Sequence, residues 1–464
     1  MNWLHFLLAG IIDFDTRRLT FPLAFVVVSI SCVSSTYGQL NEESFLVVNS
    51  GEEFFVDGGT TEDVTTLLNG GILSNSAGRS TIQGPALVLN SSLIRTNVFT
   101  LTLEGAISGQ SQNTLTFSSV PYQSPGTIVL SGDNDYQGPT VINSGSVLAT
   151  NENSLGTTDS GTSITGFGRL SLLAPSSEAF VVDGGVLGFG HSEAITNDTT
   201  LQSGEIAISS ELQSRIQLDQ QGAAAAILRG NTPVTNVVGG VEGSGNLTLQ
   251  GNLTFTNAGL DHSGDVNITD NNTDVQFNVA NAFSGDTIVT NQGSLEVNNS
   301  SALGNSSNAV QVRDGGELIL NQNVDRDVDL QTGRLETGDG VAFDGDVFAS
   351  DFSTVGGTGT FRGNIDFANG GTLSGGNFEG TIGGAEDLRI SGGATTTRLN
   401  AANTFSGITT ISGAAEINDA DGLGTNDFGT LINSRQTDLN TVTCLLYTSP
   451  SPRDRTRSRM PSSA

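Results

Sequence analysis

Between Thr273 and Gly304 the chain follows a plan that it repeats in two other places. Val275, Phe277 and Val279 alternate with polar residues. Asn281, Phe283, Gly285 and Thr287 come next, then a turn at Gly293, Leu295 and Val297, and a closing Ala302-Leu303-Gly304. An earlier copy reads Ile128, Leu130, Asn134, Tyr136, Gly138, Thr140, Gly145, Val147, Ala149 and Leu155-Gly156. A later one reads Leu399, Asn403, Phe405, Gly407, Thr409, Gly413, Ala415, Ile417 and Leu423-Gly424. The copies fall near residues 126–156, 273–304 and 395–424, and the interval from turn Gly to closing Leu is ten in all three. Period-two alternation predicts half-buried strands, and the glycines mark turns. The aromatic in each copy is a large apolar body fit to stack between coils. One such unit cannot bury its own apolar face, so the copies are expected to lie on one another in a solenoid.

Asn134/Tyr136/Gly138, Asn281/Phe283/Gly285 and Asn403/Phe405/Gly407, each followed by a Thr, a turn Gly and a Leu-Gly (Leu155, Leu303, Leu423), resemble the passenger-associated transport repeat. This is also called the autotransporter-associated β-strand repeat of bacterial surface proteins. The first copy departs from the others with Pro139 where they carry Asp286 and Ile408. The resemblance implies an all-β, right-handed parallel β-helix in a single elongated domain. It also implies export through a C-terminal membrane barrel, and it implies architecture more than a task.

Composition narrows the partners. Glycine is 60 of 464 residues and charged residues only 14%, unlike an ordinary globular enzyme. Regular alternation argues against disorder. All basic residues are Arg, and from Gln39 to Thr443 there are 12 against 45 acids, a net of −33. Such a surface disfavours nucleic acid and anionic membrane. The only cysteines, Cys32 and Cys444, lie outside the repeats, so no disulfide staples the coil.

At the N-terminus, Arg17-Arg18 precede an apolar run from Leu19 to Val33 of signal-peptide length, with cleavage expected after Ser35 or Gly38. Thr20 departs from a twin-arginine signal and Ser29 from a lipoprotein box ending at Cys32. Residues 1–38 are therefore read as a signal peptide and 39–443 as the passenger. Residues 444–464, beginning Cys-Leu-Leu-Tyr-Thr-Ser-Pro-Ser-Pro-Arg-Asp, resemble a translated sequencing adapter and are read as a non-native tail. Short strands are expected at Phe45–Val48, Ala86–Leu89, Phe99–Leu103 and Thr114–Phe117, and directly after the glycines of Gly243–Leu249 and Gly357–Phe361. Gln220 to Arg229, with Ala223 to Ala226, is the only helix-flavoured stretch. It is too short for a helical domain and reads as an excursion or capping turn.

Candidate chemistry is thin. Gly190-His191-Ser192-Glu193-Ala194 resembles a nucleophile elbow but lacks the final Gly and a following helix, and reads as a turn. Asp325, Asp327, Asp329 and Glu336 have the ligand spacing of a helix-loop-helix calcium site, yet Leu330 replaces its Gly. They read as a solvated carboxylate face. Asp133-Asn134-Asp135 is weaker still. Asparagine-rich stretches such as Asn298-Asn299 are expected to stack as ladders between coils. No catalytic set, metal site or cofactor is expected. The sequence points to an exported, cell-surface, outer-membrane or extracellular protein serving adhesion, display or structure. Its partner would be an extracellular ligand such as a glycan or a host or neighbour surface, with membrane involved only through export or a barrel. The alternative is a β-helix carbohydrate-active enzyme, a polysaccharide lyase or hydrolase, against which sparse Arg and absent Lys weigh.

Overall fold

The computed structural model describes residues 45–56, 61–62, 64–75, 77–119, 126–157, 160–189, 197–220, 222–392, 395–425, 429–432 and 442–444. The described residues lie in one compact unit, Ser44–Ala464. The signal-peptide reading, the Gly190–Ala194 turn and all but Cys444 of the tail fall outside them.

Among these residues there is no helix; the strands pair parallel, each with its counterpart one coil away, in a β-solenoid of about 18 turns. Three faces arise at once, because each early turn supplies a strand to each. Phe45–Asn49, Thr65–Asn69, Ala86–Asn90 and Ile107–Gly109 build the first face. Glu53–Val56, Ile72–Asn75, Ser92–Thr96 and Leu115–Ser119 build the second. Thr61–Glu62, Ser80–Ile82, Thr100–Leu103 and Thr127–Leu130 build the third. The expected alternation appears as strict in–out burial along Ser92–Thr96 and Leu115–Ser119. Inward Leu, Ile, Val and Phe form one continuous core along the coil; in successive turns Phe343 meets Phe361 edge-on at a centroid distance of 6.0 Å and Phe361 stacks on Phe378 at 4.9 Å.

Coil length is not constant. Along the second face successive strands start at Thr140, Thr162, Phe180, Thr199, Ile216, Val241 and Leu260, steps of 17 to 25 residues. The repeat copies are thus separated by several turns and do not lie on one another, which corrects that expectation. The intervening coils bury the copies equally well because their inward faces are just as apolar. Gln220–Arg229 forms exposed bends around Gly222–Ala224 and then enters the strand Ala226–Val237.

Candidate functional site

Each copy sits where one face of the coil stops. Among the described residues the first face ends at Ile107–Gly109, beneath the first copy, and no strand takes its place in the coil order until Glu211–Leu212. The second face ends at Leu260–His262, beneath the second copy, and resumes at Ala342–Phe343. The third, among the described residues, ends at Ile382–Gly384, beneath the third copy. Successive copies therefore interrupt successive faces.

The asparagine makes each interruption possible. In a regular rung, the N–H of a strand's first residue bonds a main-chain carbonyl of the next turn, as Val241 N–H does to Gly259 O. Where the next strand is missing, the amide oxygen of the copy's asparagine takes that place. Asn134, Asn281 and Asn403 accept from the N–H of Ile107, Leu260 and Ile382, each at 2.8 Å. Their Nδ2 groups donate onward to the carbonyls of Ser154, Ala302 and Gly422 at 2.5, 2.5 and 2.6 Å. All three side chains are buried. A side-chain amide thus stands in for a peptide group, and the main-chain N–H and C=O that it bridges are both paired.

The closing glycine completes the motif. Gly156, Gly304 and Gly424 have φ of +90°, +75° and +76°. A Cβ on Gly304 or Gly424 would stand 2.8 Å from the ring of Phe283 or Phe405. Glycine alone tolerates both demands.

The surroundings of the first two copies differ. Tyr136 replaces phenylalanine, and its hydroxyl bonds the buried Thr140 Oγ1. Burial drives the phenol well above its ordinary pKa. Next to it is a cavity of about 240 Å³ lined by Glu152, Asn153, Leu155, Gly156, Ser176 and Glu178, among others. Glu152, Asn153 and Ser177 are exposed at its rim, while Ser176 and Glu178 are buried beneath. Glu178 is only 4% exposed. Burial raises its pKa to about 8, the neighbouring Thr162 hydroxyl pulling the other way. Thr162 Oγ1 and Glu178 Oε2 are nonetheless both without a partner at hydrogen-bond geometry, so the hydroxyl tempers the charge without satisfying it.

At the second copy the corresponding place is filled. Arg326 donates to the carbonyls of Leu303 and Gly304 at 2.7 and 3.0 Å. Burial lowers its pKa against the pull of Asp286 and Asp325, and the guanidinium stays charged. Below Phe283, the buried His262 stacks on the ring at 5.8 Å, with Nδ1 3.1 Å from Gly245 O. Burial lowers the His262 pKa and its Nε2 has no partner, so the imidazole is held neutral.

The four spaced acids do not converge. Asp325 and Asp327 are exposed on either side of Arg326, and Asp327 Oδ1 accepts the Asp346 N–H at 2.8 Å. Asp329 is on the third face and Glu336 on the first, where Arg334 pairs with it. Asp133 bonds Asn153 at the cavity rim at 2.7 Å, while Asn134 turns inward. Among the described residues no group of three or more His, Cys, Asp or Glu could hold a metal ion. Asparagine ladders do form. Asn298 bonds Asn278 at 2.7 Å and Asn321 bonds Asn298 at 2.8 Å. Asn49, Asn69 and Asn90 form another, as do Asn377, Asn400 and Asn418. Asn299 instead caps its own turn through the Ser301 N–H.

Sequence reading missed Glu178 and Arg326. The signal was available only as a spacing: both lie 22 residues after the closing glycine of their copy. No protein-family model, no curated protein and no solved structure matches the chain. Among the described residues no helix is long and apolar enough to cross a membrane.

Proposed function

We propose that this chain is an exported bacterial surface or extracellular protein, an autotransporter-like passenger fragment whose coil serves adhesion, display or matrix structure. The observation that carries the reading is the use made of the repeat. All three copies spend their defining residues on the same bonds between coils, which is scaffold work. The polar faces outside, rich in Asn, Asp and Thr, leave a long acidic surface for contact with a glycan or a neighbouring cell. Intact source cells treated with external protease test it: the coil is expected to be lost before lysis. Retention of the coil until lysis would reject the reading. Sequencing the source DNA past the codon for Thr443 adds a second arm, a downstream membrane β-barrel being the expected result.

The carbohydrate-enzyme reading has one observation in its favour. On the third face Asp329, Phe348 and Asp366 are in register, with half-exposed Phe348 between two outward carboxylates. Two rungs separate the acids by roughly 9.6 Å, near the upper end of the range for inverting glycosidases. Glycan hydrolysis that disappears in Asp366→Asn would favour this reading over the structural one.

A further inference from the structure

The first and second copies can be superposed by register alone. Thr140, Thr162 and Phe180 follow one another up the second face, and Thr287, Val310 and Val328 up the third. Glu178 and Arg326 each lie two residues before the last of these strands. Both follow the Leu of the closing Leu-Gly by 23 residues. They occupy the same station over the same pair of carbonyls. At the second copy a guanidinium fills it, satisfying Leu303 and Gly304. At the first, among the described residues, no side chain reaches Leu155 and Gly156 in that way. The station holds a cavity of about 240 Å³ and a buried carboxyl oxygen without a partner.

We propose that this cavity is a binding site for a guanidinium group, the arginine side chain of a partner or arginine itself. The cation would take the place that Arg326 occupies within the chain. Its N–H groups would meet the Leu155 and Gly156 carbonyls, and Glu178 would supply the countercharge. A guanidinium suits the site because it is planar, carries five donors and no acceptor, and is weakly hydrated. The lining offers oxygen acceptors, and Glu152 and Asp133 at the rim add negative potential that draws cations in. Burial, opposed by the Thr162 hydroxyl, holds a proton on Glu178 up to about pH 8, and cation binding would expel it. Tyr136 beside it stays protonated throughout, which leaves Glu178, Glu152 and Asp133 as the acids facing the site.

Calorimetric titration of the chain with N-acetylarginine amide tests the proposal. One saturable site is expected, with proton release near pH 7 and affinity rising toward pH 8. Glu178→Gln should weaken it about tenfold or more, the scale of a lost charge-assisted bond. Tighter binding of L-arginine than of the amide would mark the free amino acid as the ligand, and the reverse a side chain. No binding, equal binding of N-acetyllysine amide, or binding unchanged in Glu178→Gln overturns the proposal. Glu178→Arg supplies a check that does not depend on the ligand. It should fold, melt higher and bind nothing, because its own guanidinium fills the cavity. A Glu178→Arg chain that melts lower would show that the two stations are not equivalent.

Discussion

The neighbourhoods of the first and second copies share one backbone device and differ in what fills it. Both stop a face with an asparagine that imitates a peptide group, and both lay a left-handed glycine on an aromatic ring. Around Phe283 the station over the carbonyls is filled by Arg326, with His262 below the ring, and the cavity of about 240 Å³ at this copy is a separate one, lined by Leu260, Ala280 and Ala282 among others. Around Tyr136 a buried carboxyl and a cavity remain. The shared device keeps the coil closed when a strand is omitted, while the station above it is free to vary.

The largest effect expected is at the ring. Phe283→Ala should cost about 3–5 kcal/mol by lost burial and cavity formation, read as a shift in the urea midpoint. A cost below 1 kcal/mol would mean that the coil does not need the ring. Arg326→Glu would turn the second neighbourhood into the first, removing two charge-assisted bonds from a half-buried side chain, a loss of about 1.5–3 kcal/mol in all. Faster hydrogen exchange at Asn305, whose N–H bonds Phe283 O, would report it. Protection equal to the parent would break the equivalence of the two stations.

Asn134→Ala and Asn281→Ala leave the same two groups unpaired, so each should lose about 1–3 kcal/mol and the two losses should match. A marked inequality in thermal melts would show that the copies are not the same device. Glu178→Gln tests the first neighbourhood by pH. The native carboxyl holds its proton to about pH 8, so its burial penalty grows as pH rises from the unfolded value near 4.5 toward 8. The variant should match the parent at pH 4 and melt higher at pH 8. His262 has the opposite sign. Its lowered native pKa leaves stability intact above about pH 6.5 and removes it as pH falls below that value. His262→Phe should flatten the acid side of the melting profile. The smallest effect is Tyr136→Phe, which gives up one buried hydroxyl bond and should change stability by no more than about 1 kcal/mol.

Much of this fold was legible in the chain. The strands Phe45–Asn49, Ala86–Asn90, Thr100–Leu103 and Leu115–Ser119 lie within two residues of their expected bounds. Alternation is a local property that a single strand displays in full. The asparagine ladder through Asn298 was legible for the same reason, since it continues the strand pattern. The asparagine of the repeat was visible as a residue but not as a bond, because its partners Ile107 and Ser154 lie 27 and 20 residues away. For the spaced acids, read as a solvated carboxylate face and not as a calcium site, the linear spacing did not show that Asp329 and Glu336 fall on different faces once the chain coils.

By itself the sequence determined that this chain coils from short strands, where it turns, and which residues recur. Only the tertiary structure decided that the three copies halt three different faces, and that Glu178 and Arg326 hold one station. The physical reason is the coil length. Steps vary from 17 to 25 residues along one face, and stacking depends on the accumulated path around the coil. Which residues meet across turns is therefore fixed by every intervening loop at once and is written in no single segment.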